Sequence, residues 1–244
     1  MDRKRFWQNM MGITMLIIVS LVAGRMGLLE KNRPEAAETA GRTARGGQRR
    51  VVVIDSGHGG ADPGKIGVAG QEEKTINLQI AQKLKSYLEA ADIGVVMTRE
   101  SDAGLYKESD SHKKSADMRE RCRIIDEANP VLAVSIHQNS YHQESISGAQ
   151  VFYYKNSENG RRLAEILQKR FDYVLGEDGN RRSAKANDSY YLLLHVKAPI
   201  VIAECGFLSN RAEAEKLSEE EYQDRVAWTI HLGILQYING IKTK

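Results

Sequence analysis

Three residues that could do chemistry each stand at the end of an apolar stretch. His58 follows VVVIDSG, His137 follows VLAVSI and Glu204 follows PIVIA. Short apolar runs rich in β-branched residues predict buried strands. Because parallel strands bring their carboxyl ends to the same edge of a sheet, these three side chains can meet although they are far apart along the chain.

Two imidazoles and one carboxylate are the protein ligands of many catalytic zinc sites, in which water takes the fourth position. The carboxylate ligand can be Glu204 or Glu73, and the residues alone leave this choice open; the other glutamate would then serve as a base. Glu73 also suits the start of a helix, where the helix dipole favours acidic residues. Zinc lowers the pKa of bound water from about 15.7 to about 7, which allows such a site to hydrolyse an amide. The chain has no HExxH sequence, which excludes the common zincin layout.

The remaining polar candidates carry weaker signals. None of the other four histidines follows a strand with glycines, and we interpret them as solvated or helix-surface residues: His112, His142, His195 and His231. Tyr190, Tyr191 and Asn187 could border a substrate groove, and a purely structural role is equally consistent with the sequence.

Strand and helix patterns alternate along the chain. Strands are predicted at 51–54, 93–98, 131–137, 149–154 and 199–204, and helices from Glu72 to about 88 and over 117–127, 160–175 and about 220–238, with another just before the last. Residues 176–188 are polar and are predicted to form a loop. This alternation predicts a single α/β domain with a largely parallel sheet.

The charge is unevenly distributed. The whole chain has 244 residues and a net charge of +3, but its first 50 residues carry ten Lys/Arg against four acids. The remainder is therefore slightly acidic, which argues against a nucleic-acid-binding domain. Cys122 and Cys205 have no metal-ligand spacing, and we interpret both as buried thiols, although an exported protein could also pair them.

The N-terminus has the pattern of an export segment. Basic residues at 3–5 precede an uncharged run over 10–24, which as a helix spans about 22 Å and is shorter than the ~30 Å hydrocarbon core. Residues 1–29 are therefore predicted to be a signal peptide or a signal-anchor, and we favour the uncleaved anchor. The positive N-terminus predicts that the rest of the chain lies outside the cytoplasm. Residues 30–49 are predicted to be a flexible linker, and 50–244 the catalytic domain.

Five motifs together resemble the zinc-dependent N-acetylmuramoyl-L-alanine amidases of bacterial cell walls. They are IDSGHGG with DPG (54–64), EEKTINL (72–78), MTRESD (97–102), SIHQN (135–139) and ECGFLSN (204–210). The resemblance implies a six-stranded sheet with helices on both faces and a zinc site at the carboxyl ends of the strands. It implies that His58, Glu73 and His137 bind one zinc ion and that Glu204 is the catalytic base. Glu73 is chosen because the family's ligand directly precedes a lysine, and Arg121 matches a family arginine without a defined role.

Other features resemble the sporulation amidases that act in spore cortex. These are the N-terminal anchor, the single domain, the polar insert after MTRESD, and GAQVFYY at 148–154. The resemblance implies removal of stem peptides from muramic acid in peptidoglycan, before a deacetylase permits closure of muramic δ-lactam, a step connected with germination. It also implies membrane attachment through the N-terminal segment, a location in the space around the forespore and, as for some relatives, a lipoprotein activator.

Two residues depart from the family pattern. Ser56 replaces a usual proline, and Cys205 stands where Val or Leu is common. Neither change is expected to abolish activity, since Cys205, adjacent to Glu204 on a strand, should face the opposite side of the sheet.

Two other functions are consistent with the sequence. A zinc peptidase that cuts within the stem peptide would use the same metal chemistry with a different groove. A non-catalytic wall-binding or activator module is less favoured, because all four chemical residues are present.

Overall fold

The structure, a computed structural model, describes residues 50–176 and 182–240. The signal peptide or signal-anchor predicted for residues 1–29 and the linker predicted for 30–49 lie outside the described residues. Within the described ranges, no helix combines the length and the apolar content needed to cross a membrane.

The elements alternate between strand and helix for most of the chain. In the described ranges they are β1 (Val51–Ser56), α1 (Glu73–Ala90), β2 (Gly94–Met97), α2 (Lys113–Ala128), β3 (Leu132–Asn139), β4 (Gln150–Tyr154), α3 (Glu158–Val174), β5 (Lys185–Asn187), α4 (Tyr191–His195), β6 (Ile200–Phe207), α5 (Arg211–Leu217) and α6 (Glu220–Asn239).

The strands form one six-stranded sheet in the order β2-β1-β3-β6-β4-β5. The neighbours from β2 to β6 pair in parallel, β4 runs antiparallel to β6, and β5 is parallel to β4. The predicted α/β domain with a largely parallel six-stranded sheet is therefore confirmed. Since β1, β3 and β6 are parallel neighbours, His58, His137 and Glu204 come to the same edge, and His137 and Glu204 are register partners.

Helices cover both faces of the sheet. The larger core lies under α1, α3, α5 and α6, where fully buried residues from helices and strands pack together, among them Ile80, Leu84, Val134, Leu163, Phe171 and Ile230. The smaller core lies under α2 and α4 and includes Val53, Ile125, Leu192 and Ile202. Burial on both faces explains why the central strands are apolar at nearly every position.

Several predicted boundaries were wrong. β3 continues two residues past His137 and β6 three residues past Glu204, because these strands keep pairing, through an irregularity, as far as Asn139 and Phe207. The loop predicted over 176–188 contains β5, a polar edge strand held by β4 alone. α2 begins four residues before the predicted start, and the short helix α4 was missed.

The cysteines and one histidine also differ in part from expectation. Cys205 is fully buried in the larger core, on the opposite side from Glu204 as predicted, whereas Cys122 is only partly buried, and both are free thiols. His231 is buried between α6 and α1, where it stacks on Trp228, so its interpretation as a surface residue was wrong. The other three candidate histidines are exposed: His112, His142 and His195.

Candidate metal and catalytic site

The first ligand candidate lies in a strained turn after β1. His58 has φ of 62°, a left-handed conformation that few non-glycine residues adopt. Its carbonyl accepts a hydrogen bond of 2.7 Å from Arg121 Nη2, and the carbonyl of Ser56 accepts one of 2.7 Å from Nη1 of the same guanidinium. Backbone strain of this kind persists only where surrounding contacts enforce it. Arg121 therefore fixes the backbone that carries the His58 ring.

Arg121 is held in turn by a carboxylate at the end of β1. Asp55 is fully buried and accepts hydrogen bonds from Arg121 Nη1 at 2.7 Å, Thr98 Oγ1 at 2.7 Å and Ser135 Oγ at 2.5 Å. Burial acts to raise the pKa of Asp55, but the charge of Arg121 and the two hydroxyls outweigh it and lower that pKa to about 2. Arg121 also donates to Asp117 at 2.6 Å. This network joins three strands to α2 directly below the site.

A second buried arginine ties the same turn to α1. Arg99 donates to the carbonyls of Ser56 and Gly57 at 2.9 and 3.0 Å. Its Nη2 also donates to the carbonyl of Lys74 at 2.7 Å, in the first turn of α1. Because Glu73 precedes Lys74, Arg99 sets the position of the Glu73 backbone relative to the turn. Sequence reasoning noted Arg99 only as the end of a strand, inside the MTRESD motif.

The structure brings His58, Glu73 and His137 together. Glu73 Oε2 lies 3.2 Å from His58 Nε2, and Glu73 Oε1 lies 2.9 Å from His137 Nδ1. One possible ligand atom from each of the three residues lies within 4.8 Å of the other two. Burial acts to raise the pKa of Glu73, but hydrogen bonds from His137 and His58 outweigh it and lower that pKa, so the side chain is a carboxylate. Glu204 lies outside this group, so the geometry favours Glu73 as the carboxylate ligand where the residues alone left the choice open.

Backbone and side-chain donors orient the Glu73 carboxylate independently of the imidazoles. The N–H of Lys65 donates to Oε2 at 2.8 Å, and the N–H of Gln138 donates to Oε1 at 3.1 Å. Asn77 Nδ2 lies 3.4 Å from Oε1 and 3.1 Å from the carbonyl of Gly57. Each carboxylate oxygen therefore has a fixed direction set by the loop before α1 and by β3.

The outer nitrogen of His58 also has a partner. Asp62 Oδ2 lies 3.0 Å from His58 Nδ1, and Asp62 Oδ1 accepts the N–H of Gly64 at 3.1 Å. A carboxylate on one ring nitrogen leaves the other free to bind a metal and fixes the tautomer. Asp62 thus presents Nε2 to the site. Sequence reasoning did not single it out, although it belongs to the DPG motif.

Two glycines leave the space that the ligand side chains occupy. A Cβ at Gly57 would lie 2.2 Å from His137 Cε1, in severe overlap with the imidazole ring. Gly64 has φ of 69°, and a Cβ there would lie 2.5 Å from Glu73 Oε2 and 2.8 Å from His58 Cδ2. Any side chain at either position would displace a ligand candidate.

Glu204 lies beside the group of three with an unusual environment. It is 7 % exposed, and its Oε2 is buried without a hydrogen-bond partner among the described residues. Burial raises the pKa of Glu204 to about 7, although His137 nearby acts to lower it. A buried carboxyl group that titrates near neutral pH can accept and return a proton.

These residues open into one cavity of about 870 Å³. Its base contains the three ligand candidates and Glu204, and its walls include residues of α2 and α4 and of the loops before them: Tyr106, Lys113, Lys114, Met118, Tyr190 and Tyr191. Asn187 does not line this cavity. Its Oδ1 accepts the backbone N–H groups of Ser189 and Tyr190 at 2.8 Å, so it shapes the turn that presents Tyr190.

The donor set fits zinc. Two neutral imidazoles and a carboxylate are a common ligand set of catalytic zinc, which leaves one position open to the cavity. The second partners of His58 and Glu73 fit as well, since ligands of metal sites are usually held by such outer contacts.

Comparison with known proteins gives matches over most of the described residues. A family model described as N-acetylmuramoyl-L-alanine amidase matches residues 52–236. The germination-specific N-acetylmuramoyl-L-alanine amidase of Bacillus subtilis (strain 168) is 37% identical over 191 residues, which cover 77% of this chain and 79% of that protein.

Solved structures of amidases also match most of this chain. The CwlD amidase from Clostridioides difficile, solved in complex with the GerS lipoprotein, matches with a TM-score of 0.75 and 37% identity over 78% of this chain and 99% of that one. The catalytic domain of CwlV, an N-acetylmuramoyl-L-alanine amidase from Bacillus (Paenibacillus) polymyxa var. colistinus, matches with a TM-score of 0.69 and 30% identity over 78% and 98%.

Substituting Gly57 tests the role of the space below His137. In Gly57→Ala the new methyl group would overlap the imidazole, so we expect zinc affinity to fall by about tenfold or more, with an unchanged circular dichroism spectrum. Competition with a chromophoric chelator measures this affinity. Gly176→Ala is the matched control, because a Cβ at Gly176 meets no atom within 4 Å. Equal zinc affinity in both variants would contradict the assignment.

The Asp55 network predicts a pH-dependent stability. The pKa of Asp55 is about 2 in the fold against an ordinary value of 3.8. Its stabilising contribution, about 2 kcal/mol from that difference, is therefore complete above about pH 4 and is lost as the pH falls towards 2. Asp55→Asn should lower the free energy of unfolding at pH 7, and the gap from the wild type should narrow between pH 4 and 2 in urea titrations. A gap that stays constant with pH would rule out this explanation.

Proposed function

This chain belongs to the N-acetylmuramoyl-L-alanine amidase family, and we propose that His58, Glu73 and His137 hold one zinc ion for its hydrolytic reaction while Glu204 transfers the proton. It is an amidase that acts on peptidoglycan, at the bond between N-acetylmuramic acid and L-alanine. The observation that carries the residue assignment is the meeting of two imidazoles and a buried carboxylate within 4.8 Å, beside a second buried carboxyl group.

The metal would supply Lewis acidity, which polarises the amide carbonyl and makes water acidic enough to react at neutral pH. The chain's own contribution begins with orientation. Asp62 holds the His58 ring, and two backbone N–H groups hold Glu73, so the ligands need little rearrangement when the substrate enters. Such preorganisation spares the reaction the cost of ordering these groups.

Glu204 is the group that would carry a proton from the attacking water to the leaving nitrogen. Water adds its oxygen to the carbonyl carbon of the lactyl group, and its proton passes to Glu204. The carbon–nitrogen bond then breaks as Glu204 returns that proton to the nitrogen of L-alanine, which leaves as an amine. Because burial raises the pKa of Glu204 to about 7, this group can perform both transfers near neutral pH, although a neighbouring cation would favour its carboxylate form.

We further propose that the enzyme acts in sporulation or germination, where it removes stem peptides on the way to muramic δ-lactam. The germination-specific relative in Bacillus subtilis supports this role. Peptidoglycan lies outside the cytoplasm, and the N-terminal segment would attach the enzyme to the membrane facing the space around the forespore. A lipoprotein activator is proposed on the likeness to CwlD, which was solved with the GerS lipoprotein.

Product analysis tests the cleaved bond directly. Peptidoglycan incubated with the full chain and zinc should release stem peptides that begin at L-alanine and leave peptide-free muramic acid, as identified by mass spectrometry. Shortened stems still attached to the glycan would instead indicate a peptidase that cuts within the stem. Absence of product from zinc-loaded protein would indicate either a non-catalytic wall-binding or activator module or an absolute requirement for the proposed lipoprotein activator.

The Glu204→Gln variant tests the proton-transfer role. Removal of a general acid–base typically costs about 10²–10⁴ in rate, and we expect this loss in kcat with an unchanged zinc content by metal analysis. Glu215→Gln, at an exposed glutamate of α5, is the control and should retain full activity. If Glu204→Gln keeps its activity, another residue transfers the proton; if it loses zinc, Glu204 is a ligand.

A further inference from the structure

Most charged side chains that line the cavity contact a partner of complementary chemistry. Asp55 and Asp117 pair with Arg121, Asp62 with His58, and Glu73 with both imidazoles. On the rim, Lys113 pairs with Glu108 at 2.7 Å. In the deep part of the cavity these charged groups therefore all have a partner, and Glu204 Oε2 is the exception among the described residues.

Lys65 and Lys114 are different. Both line the same cavity and both are exposed. Across residues 50–176 and 182–240, neither ammonium group forms an ion pair or a hydrogen bond. Two cations without a direct partner at the mouth of a cavity raise the local concentration of anions and favour an anionic group on the bound molecule.

Both lysines start close to the reacting centre. The backbone N–H of Lys65 donates to Glu73 Oε2 at 2.8 Å, so its side chain leaves the chain directly beside a ligand candidate. Lys114 lines the same cavity as Asp62, the partner of His58. Both side chains therefore border the cavity in which the part of the substrate next to the scissile bond would lie.

The substrate of the proposed function carries an anion at that distance. The residue after L-alanine in a stem peptide is D-glutamate linked through its γ-carboxyl, which leaves its α-carboxylate free. That carboxylate lies two residue lengths from the scissile amide, about 7 Å in an extended chain. Stem peptides also exist in which this group is a carboxamide and has no charge.

We propose, on the basis of the function proposed above, that Lys65 and Lys114 bind the α-carboxylate of the second stem residue and make the enzyme selective for stems in which this group is not amidated. The lysines would be specificity-determining residues that take no part in proton transfer. Their effect should be electrostatic and should therefore weaken with salt.

A pair of substrates that differ at this one group tests the proposal. Glycan fragments carrying L-alanyl-γ-D-glutamyl stems are compared with the same fragments carrying the α-carboxamide, using the full zinc-loaded chain. We expect kcat/KM to be about fivefold to tenfold higher for the carboxylate, which is what two partly exposed ion pairs provide. The preference should shrink as sodium chloride rises from low to high concentration.

Variants locate the preference. Lys65→Gln and Lys114→Gln should each reduce the preference for the carboxylate substrate several-fold. The double variant should hydrolyse both substrates at the rate at which the wild type hydrolyses the carboxamide. Lys114→Arg, which keeps the positive charge, should retain the preference that Lys114→Gln loses. Lys169→Gln, at an exposed lysine of α3 outside the cavity, is the matched control. Equal hydrolysis of both substrates by the wild type, or a preference that survives in the double variant, would overturn this inference and leave the amidase function intact. Failure to cleave either substrate would contradict the proposed function and the inference together.

Discussion

The buried ion pair between Arg121 and Asp55 is the interaction on which the catalytic edge of the sheet depends. Asp55 gathers donors from the end of β2, from β3 and from α2, and Arg121 passes this constraint to the backbone of His58. Replacing both members of such a buried pair by apolar side chains is often neutral for stability, whereas removing one partner leaves the other charge buried and is costly. The pair's structural value lies in position: donors from the end of β2, from β3 and from α2 meet at one carboxylate, and Arg121 also binds the carbonyls of the turn that carries His58.

Contacts around the Arg121–Asp55 pair hold Glu73 in place in a similar way. Arg99 connects the turn to the first turn of α1, and the loop before α1 supplies the N–H of Lys65 to Glu73. His58 and Glu73 are thus held by contacts that do not involve a metal, which is the condition for a site whose geometry is ready before the ligand arrives. Glu204 is the exception, because its Oε2 has no partner among the described residues. A group that must exchange protons gains from that freedom, whereas a group that must stay in place does not.

The sequence predicted the parts of this arrangement that local pattern controls. Apolar β-branched runs located β1, β3 and β6, and the parallel arrangement then brought His58, His137 and Glu204 to one edge. Arg121 could not be recognised as buried, because it lies in a polar helix and its partner Asp55 is distant in sequence. β5 could not be predicted because its residues do not alternate between apolar and polar. It is a polar edge strand that is held by backbone pairing with β4 alone. His231 was misjudged because the packing of α6 on α1 decides its burial, and a single helix pattern does not reveal it.

The position of β6 has a consequence for the timing of activity. β6 is the last strand in sequence, yet it lies in the middle of the sheet between β3 and β4. A nascent chain emerges with its amino end first, so β3 and β4 wait without their shared neighbour until residues 200–207 follow. The sheet cannot close, and Glu204 cannot join the histidines, before most of the chain has left the ribosome. Until β6 is in place, the edge of the sheet therefore lacks the residue that we propose transfers the proton.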